Sequence, residues 1–365
     1  MAAKKKKKKK KKTPKRFRIR SPYGGGIRGV IPAVWLAELE AELRKKKKDA
    51  LLRDHFDLVA GTSTGAILAC LVASGTPAAD MPRLYEEFGR EVFPGTASRL
   101  WSRARRLFSE GPSAPKYDDR GLERALRRRF GEARFGELPM RTLVTAYDTL
   151  AREGVVMKNF GGDGEPPGHY DEVPVWEVAK SSCSAPTYFP AHVLTWRDVR
   201  MPLIDGGVVA NNPSVSPVVG AGRAHSPTPS PGRVDLRQFF VASLGTGELT
   251  RPISVEDARE WGALEWAIPI IDVLFDGAGD ATHYAARQLL PEDRYVRLQT
   301  GLDDAFDDLD DASSTNLNAL RRIALERLMA GDGRQRLASL AAAVRETKNS
   351  ARTEGPGRPV GCSLD

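Results

Sequence analysis

The sequence predicts an α/β protein in which helices cover a mostly parallel central sheet. Short apolar runs alternate along the chain with segments whose apolar residues recur at helical spacing, which is typical of parallel strands joined by helices. Two glycine-rich turns, at 24–29 and 61–65, each precede such a helical segment. The glycine-containing loops from Gly24 to Gly247 are not separated by a clear linker. We therefore expect a single domain over residues 17–330.

Helices and strands alternate from the first turn onward. Residues 30–44 predict a helix, because Pro32 suits its first turn and leucines recur at helical spacing after it. FDLVA at 56–60 predicts a short strand, and the small and apolar residues at 64–74 predict a second helix. GGDGEPPGH at 161–169 is typical of a hairpin tip. Further strands are expected at 142–148, 155–160, 202–205, 239–245 and 294–299.

The positive charge of the chain is concentrated at its N-terminus. The 365 residues carry a net charge of +9, yet residues 1–20 alone hold thirteen Lys or Arg and no acidic side chain. Of the 56 basic side chains these thirteen leave 43 to set against 47 acidic ones, a net charge of −4. We therefore expect no specific nucleic-acid partner for the folded part. The Lys-rich residues 1–16 predict a disordered tail, which could tether the protein to an anionic membrane.

Cysteine content and hydropathy predict the compartment. Three cysteines, Cys70, Cys183 and Cys362, do not form an even set for disulfides, which favours a reducing environment. No run of about 18 apolar residues is present, so we expect no membrane span. The prediction is a cytoplasmic protein whose contact with a membrane is transient and peripheral. Residues 331–365 predict the end of a helix followed by a loose tail.

The clearest chemical motif is GTSTG at 61–65, a G-x-S-x-G sequence between a predicted strand and a predicted helix. In this context the motif indicates a nucleophile elbow, a tight turn that exposes a serine hydroxyl. Gly61 and Gly65 would leave room for the turn on either side of Ser63. The helix N-terminus would favour negative charge developing at Ser63.

A serine nucleophile needs a base, and two arrangements are open. His225 and His283 follow Asp205 in the chain, as the Ser–acid–His order of α/β-hydrolases requires, although neither lies in a segment typical of a catalytic histidine. Alternatively, PLIDGGVVANNP at 202–213 places Asp205 at a strand end, where open α/β sheets hold catalytic side chains. A carboxylate there could accept the serine proton directly if burial raised its pKa.

The first glycine turn fits G-x-G-x-x-G and presents backbone amides to a negative charge. A dinucleotide site would have a clean apolar strand before the turn and an acidic residue about 20 positions later, and this chain has neither. We therefore favour an oxyanion loop, in which the amides of Gly24, Gly25, Gly26 and Ile27 stabilise a tetrahedral intermediate at the serine.

GGGIRG at 24–29, GTSTG at 61–65 and DGG at 205–207, in that order, resemble the patatin-like phospholipase family. SSCSAPTYFPA at 181–191 and SLGTGE at 243–248 belong to the same resemblance, which covers most of residues 17–330. It implies a three-layer α/β/α fold and hydrolysis of acyl esters in phospholipids and related lipids. The family usually has an acidic residue before the three glycines, where this chain has Tyr23.

The resemblance also implies the site residues. It gives a Ser–Asp dyad without histidine, with Ser63 as nucleophile and Asp205 as base. The oxyanion loop carried over from the family consists of Gly24, Gly25, Gly26, Arg28 and Gly29. Some similar bacterial members are switched on by cyclic-nucleotide signals, which leaves room for an activating small ligand.

Three functions follow from these observations. The first is a phospholipase A-type lipid acyl hydrolase that uses the Ser63–Asp205 dyad and forms an acyl-enzyme. The second is a Ser–His–Asp esterase on small soluble esters, and the third is a non-catalytic module that binds lipid or a nucleotide. We expect no cofactor and no metal, because Cys and His do not cluster and the Asp pairs at 303–311 lack the EF-hand order. The apolar segment 261–275 predicts either a core helix or a lining for an acyl chain.

Overall fold

The computed structural model describes residues 17–93, 115–161, 169–225, 235–248, 252–267 and 269–345. The predicted Lys-rich tail at 1–16, nearly all of the predicted hairpin tip at 161–169, and residues 346–365 lie outside the described residues. The side chains of residues 222–225, which include His225, lie outside them as well.

Eight strands form one mixed sheet in the order β5-β6-β3-β2-β1-β7-β8, with β4 paired to β3. The central neighbours β3, β2, β1, β7 and β8 run parallel to one another, whereas β4, β5 and β6 pair antiparallel. The predicted mostly parallel α/β sheet is therefore confirmed. The strands are β1 (Phe17–Pro22), β2 (Leu58–Thr62), β3 (Arg141–Asp148), β4 (Glu153–Lys158), β5 (His192–Trp196), β6 (Val199–Asp205), β7 (Phe239–Leu244) and β8 (Tyr295–Leu298).

Helices connect these strands and cover both faces of the sheet. They are α1 (Val30–Arg44), α2 (Thr64–Ala73), α3 (Met81–Val92), α4 (Arg120–Phe130), α5 (Val175–Cys183), α6 (Gly207–Ala210), α7 (Ser216–His225), α8 (Val255–Glu260), α9 (Ala263–Trp266), α10 (Pro269–Leu289), α11 (Ser314–Met329) and α12 (Gly333–Arg345). Short 3₁₀ turns lie at Gly26–Gly29, Leu52–Asp54, Ala78–Asp80, Phe135–Glu137, Leu236–Gln238 and Glu292–Arg294.

Two apolar layers show that the sheet is sandwiched between helices. Successive side chains of a strand point to opposite faces, and the neighbours Leu58 and Val59 of β2 belong to different core clusters. The larger cluster joins Val59 to α1, α2 and α11, and the smaller one joins Leu58 to Val218 of α7 and Ala286 of α10. The three-layer α/β/α arrangement follows from this alternation.

Strand β1 lies inside the sheet although its sequence lacks a clean apolar pattern. β1 carries two arginines, yet it pairs with β2 on one edge and with β7 on the other. Arg18 is neutralised by Asp57, which accepts hydrogen bonds from the Arg18 backbone N and from Nε at 2.8 and 2.9 Å. β2 begins at Leu58 and not at the predicted Phe56.

The C-terminal helices complete the larger core. Trp35 of α1 is buried and its Nε1 donates a hydrogen bond to the Ala324 carbonyl of α11 at 2.9 Å. Leu340 and Val344 of α12 are also buried, and the Val344 carbonyl accepts a hydrogen bond from Arg18 Nη1 at 2.8 Å. The segment 331–365 therefore includes a whole helix that packs on the domain.

Leu340→Ala tests the contribution of α12. We expect the free energy of unfolding to fall by about 2–5 kcal/mol, because the side chain is 1% exposed and its removal leaves a cavity. Leu325→Ala on α11 is the matched control, since Leu325 is 38% exposed and its loss should cost about 0.5 kcal/mol. Urea unfolding of both variants measures this, and equal losses would show that α12 does not belong to the core.

Candidate active site

Ser63 occupies a strained turn between β2 and α2. Its backbone has φ 53° and ψ −131°, a conformation that costs a non-glycine residue about 1–3 kcal/mol. The flanking positions accept only glycine: a Cβ on Gly61 would lie 2.3 Å from the Gly65 carbonyl oxygen, and one on Gly65 would lie 2.5 Å from that of Pro22. The GTSTG motif thus forms the predicted sharp turn.

The sheet register brings Asp205 to Ser63. Thr62, the last residue of β2, pairs with Thr145 of β3, and Asp205, the last residue of β6, pairs with the next β3 residue, Ala146. β2 and β6 therefore lie end to end along one edge of β3, and the residue after β2 meets the end of β6. Ser63 Oγ donates a hydrogen bond to Asp205 Oδ2 at 2.5 Å.

The Asp205 carboxyl group is fully buried. Burial raises its pKa to about 7, and the hydrogen bonds from Ser63 Oγ and from the Gly207 amide, which reaches Oδ1 at 2.7 Å, lower it in part. A carboxylate with this pKa is ionised in part near neutral pH and can both accept and return a proton. The arrangement can therefore perform general acid–base chemistry on the serine hydroxyl.

Two further serines position this pair. Ser182 Oγ accepts a hydrogen bond from the Ser63 amide at 2.7 Å and donates one to the Thr145 carbonyl at 2.6 Å. The Ser184 carbonyl accepts a hydrogen bond from the Asp205 amide at 3.0 Å. Sequence reasoning gave no role to either residue, although the SSCSAPTYFPA segment that contains them was part of the family resemblance.

The glycine loop leaves two amides available. The Gly24 amide donates to the Asn211 carbonyl at 3.3 Å, and the Ile27 amide donates to the Leu309 carbonyl at 2.8 Å. Within the described ranges, the amides of Gly25 and Gly26 have no hydrogen-bond acceptor. Of the four amides at 24–27 that were predicted to stabilise an oxyanion, those of Gly25 and Gly26 are therefore the available ones.

Close packing explains the other glycines of the loop. Gly26 has φ +54°, and a Cβ there would lie 2.1 Å from the Leu309 carbonyl oxygen. A Cβ on Gly29 would lie 2.0 Å from the hydroxyl oxygen of Tyr85, which donates a hydrogen bond to the Gly26 carbonyl at 2.7 Å. Gly29 therefore lets Tyr85 hold the loop. Arg28 is buried, and its Nε lies 3.4 Å from the Gly25 carbonyl oxygen.

Tyr23 anchors the loop where the resemblance would place an acidic residue. Its amide donates to the Leu244 carbonyl of β7 at 3.0 Å, and its hydroxyl accepts a hydrogen bond from Ser243 Oγ at 3.0 Å. Burial raises the pKa of Tyr23 well above its usual value, so the phenol stays neutral. The Arg297 guanidinium lies over the Tyr23 ring, 5.5 Å from its centroid, a cation–π contact that a neutral tyrosine can make.

An apolar cleft opens at Ser63. It encloses about 590 Å³, a volume that includes open solvent at its mouth. Gly26, Ile27 and Ser63 lie at one end. Phe275 of α10 also lines it, so the expected acyl lining from 261–275 is limited to this residue, and Leu264 of the same segment is 88% exposed. The remaining walls include Ile67, Phe88, Val92, Leu122 and Phe189.

Among the described side chains, no histidine forms a hydrogen bond with Ser63 Oγ. The single side-chain partner of Ser63 Oγ in the described chain is Asp205. His283 Nδ1 lies 3.0 Å from the hydroxyl oxygen of Tyr295, and the side chain of His225 falls outside the described part.

The described residues contain neither a metal-binding cluster nor a membrane-spanning helix. No group of three or more His, Cys, Asp or Glu side chains is placed to hold a metal ion in this part of the chain. Of the helices described, none combines the length and the apolar character needed to cross a bilayer. Cys70 and Cys183 are buried free thiols.

Comparisons with known proteins identify a family model and several relatives of this chain. The family model "Patatin-like phospholipase" matches residues 23–216. Patatin-like protein 2 of Arabidopsis thaliana is 30% identical over 306 residues, which cover 76% of this chain and 74% of that protein. Patatin-04/09 of Solanum tuberosum is 27% identical over 326 residues, covering 82% of this chain and 80% of that protein.

Solved structures show more distant similarity. Human GIVD cytosolic phospholipase A2 is 13% identical with a TM-score of 0.46, over 90% of this chain and 60% of that one. VipD from Legionella pneumophila is 12% identical with a TM-score of 0.40, over 87% of this chain and 67% of that one.

Asp205→Asn should change the pH dependence of stability. Because the pKa of Asp205 is raised in the folded state, the wild-type protein loses stability as pH rises from about 4 to about 7, where the unfolded carboxyl ionises first. Asparagine carries no charge, and its Oδ1 can accept from the Gly207 amide while its Nδ2 donates to Ser63 Oγ. We expect the variant to gain about 2–3 kcal/mol on wild type between pH 5 and pH 8.

Urea unfolding at both pH values measures this difference. Asp257→Asn, at an exposed carboxylate of α8, is the control and should show the same small change at each pH. A constant difference between Asp205→Asn and wild type would mean that the Asp205 pKa is not raised.

Proposed function

This chain belongs to the patatin-like phospholipase family, and we propose that it is a phospholipase A-type lipid acyl hydrolase that works through a Ser63–Asp205 dyad. The observation that carries the proposal is the 2.5 Å hydrogen bond between Ser63 Oγ and Asp205 Oδ2. The family supports the coarser statement that the protein is a lipid acyl hydrolase. The dyad and the phospholipase A type are the finer steps proposed here.

In the first half-reaction, Ser63 Oγ attacks the carbonyl carbon of the acyl ester while its proton passes to Asp205 Oδ2. The carbonyl oxygen becomes an oxyanion, which the free amides of Gly25 and Gly26 stabilise. Each such donor is worth about 10²- to 10³-fold in rate. The tetrahedral intermediate then collapses, and the protonated Asp205 gives its proton to the leaving alcohol of the lysophospholipid.

In the second half-reaction, water attacks the acyl-Ser63 ester and Asp205 accepts the proton of that water. The same amides stabilise the second oxyanion, and its collapse releases the fatty acid. The proton then returns from Asp205 to Ser63 Oγ. One carboxylate can serve both half-reactions because its pKa lies near neutrality.

The apolar cleft supports a lipid as substrate. An acyl chain entering it would meet Ile67, Phe88, Val92 and Leu122 before its ester reached Ser63. Burial of a methylene group from water contributes about 0.8 kcal/mol, so a long chain would be held firmly. Because phospholipids reside in bilayers, the enzyme would contact a membrane surface transiently during each turnover.

Fatty acid release from phosphatidylcholine vesicles tests the dyad. We expect Ser63→Ala and Asp205→Asn each to lower the rate by at least about 10³-fold, because each removes one of the two groups that perform the proton transfer. The double variant His225→Gln/His283→Gln should keep the rate within about threefold of wild type, which separates the dyad from a Ser–His–Asp triad.

Circular dichroism and the unfolding midpoint of each variant control for misfolding. Full activity in Ser63→Ala would eliminate the proposed function. Loss of activity in His225→Gln/His283→Gln with a normal fold would favour the triad.

A further inference from the structure

A second cavity adjoins the glycine loop. It encloses about 840 Å³ including its mouth, and its walls are mainly polar. Gly26 and Ile27 line the apolar cleft whereas Tyr23 and Arg28 line the second cavity, so the loop forms a wall of both. Phe275 also lines both cavities. We call this second space the polar cavity.

The polar cavity lies beside the nucleophile. A Cβ on Gly24 would be 2.4 Å from Asn211 Oδ1 and 2.9 Å from Ser63 Cβ, and Asn211 lines the polar cavity. Thr246, another lining residue, donates its hydroxyl to the Gly24 carbonyl at 2.9 Å. Gly24 thus lies between Ser63 and a lining residue of the polar cavity, which places this cavity next to the catalytic pair.

Charges of both signs line the polar cavity. Arg28 and Arg297 contribute two guanidinium groups, and Glu248, Asp276 and Asp280 contribute three carboxylates. Asp276 and Asp280 are one turn apart on α10, where like charges repel. Burial raises the pKa of Asp276, Arg28 opposes that rise, and the charges of Asp280 and Glu248 add to it. A bound cation would relieve the repulsion among these carboxylates.

Buried polar atoms of the cavity lack partners. Arg28 is 3% exposed, and its Nη1 has no hydrogen-bond partner in the described structure. Asn211 is 6% exposed, and its Oδ1 also lacks one. Leaving such a group unsatisfied is costly, so buried polar atoms without partners are rare. A donor and an acceptor are thus both left for a ligand of mixed polarity.

We propose that the polar cavity is a headgroup site for a phosphoryl-ammonium zwitterion, so that the enzyme prefers zwitterionic over anionic phospholipids. This inference rests on the proposed function and names the substrate class within it. The ammonium group lies among Asp276, Asp280 and Glu248, with the ring of Phe275 available for a cation–π contact. The phosphoryl group faces Arg28 and Arg297, which carry the donors that phosphate oxygens accept from.

The charge count of the lining favours a zwitterion over an anion. With all five groups ionised, the cavity carries a net charge of −1. A glycerophosphate headgroup brings a negative charge and no cation, so it adds to the excess of negative charge that the lining already carries. A phosphocholine or phosphoethanolamine headgroup brings one charge of each sign and matches both halves of the lining.

Internal competition within one vesicle tests the preference. Vesicles contain equal amounts of phosphatidylcholine and phosphatidylglycerol with identical acyl chains, and mass spectrometry measures both lysolipids. Because both lipids share one surface, differences in membrane binding cancel. We expect wild type to cleave phosphatidylcholine at least about tenfold faster, and the Asp276→Asn/Asp280→Asn double variant to lower that ratio to about threefold or less.

Asp257→Asn, at an exposed carboxylate outside both cavities, is the matched control and should keep the wild-type ratio. A wild-type ratio near one, or an unchanged ratio in the double variant, would overturn the headgroup site.

Binding of soluble glycerophosphocholine separates this inference from the proposed function. We expect it to bind Ser63→Ala in a calorimetric titration, to bind at least about tenfold more weakly when Asp276→Asn and Asp280→Asn are added, and to inhibit wild-type hydrolysis of phosphatidylcholine. Binding of glycerophosphocholine without any ester hydrolysis by wild type would contradict the proposed function and support a binding site in the polar cavity. Ester hydrolysis without binding would remove the site alone. Activation of hydrolysis would assign the cavity to a free regulatory ligand and overturn the headgroup role.

Discussion

The end-to-end placement of β2 and β6 along one edge of β3 is the constraint on which the site depends. Parallel strands alone would carry Ser63 to the edge of the sheet without a partner. Because β6 runs antiparallel and stops where β2 stops, Asp205 arrives against Ser63 with its carboxylate excluded from water. The same burial that removes solvent raises the pKa of Asp205 to about 7. The contact between Asp205 and Ser63 and the raised pKa of Asp205 therefore have the same cause, the placement of the β6 end.

Several local costs follow from this placement. Ser63 adopts a strained backbone, the loop amides of Gly25 and Gly26 lack partners within the described residues, and a carboxylate is buried away from any cation that pairs with it. Each of these features is unfavourable for folding and favourable for a reaction that develops negative charge at Ser63. The larger core, which extends from α1 to α12, offsets these costs.

The sequence could predict the elements whose residues carry a local signal. The helix at 30–44 and the positions of Ser63 and Asp205 at a turn and a strand end agree with the structure, because glycines and apolar periodicity mark them. β5 was not predicted, since it depends on pairing with β6. Two further features have no local signal, because they depend on contacts between residues more than 100 positions apart. These are the choice of loop amides that stay free and the hydrogen bond from the Ser63 amide to Ser182.

Covalent trapping of Ser63 at a series of pH values is the most direct test of whether Asp205 activates this serine. An alkyl fluorophosphonate reacts with an activated serine, and peptide mass spectrometry locates the adduct. We expect a single adduct on Ser63, formed at a rate that rises with pH, is half-maximal near pH 7 and levels off at higher pH, where Asp205 is fully ionised. In Asp205→Asn the rate should be low and should not depend on this ionisation. An adduct on another residue, or the same pH profile in both proteins, would contradict the activation of Ser63 by Asp205.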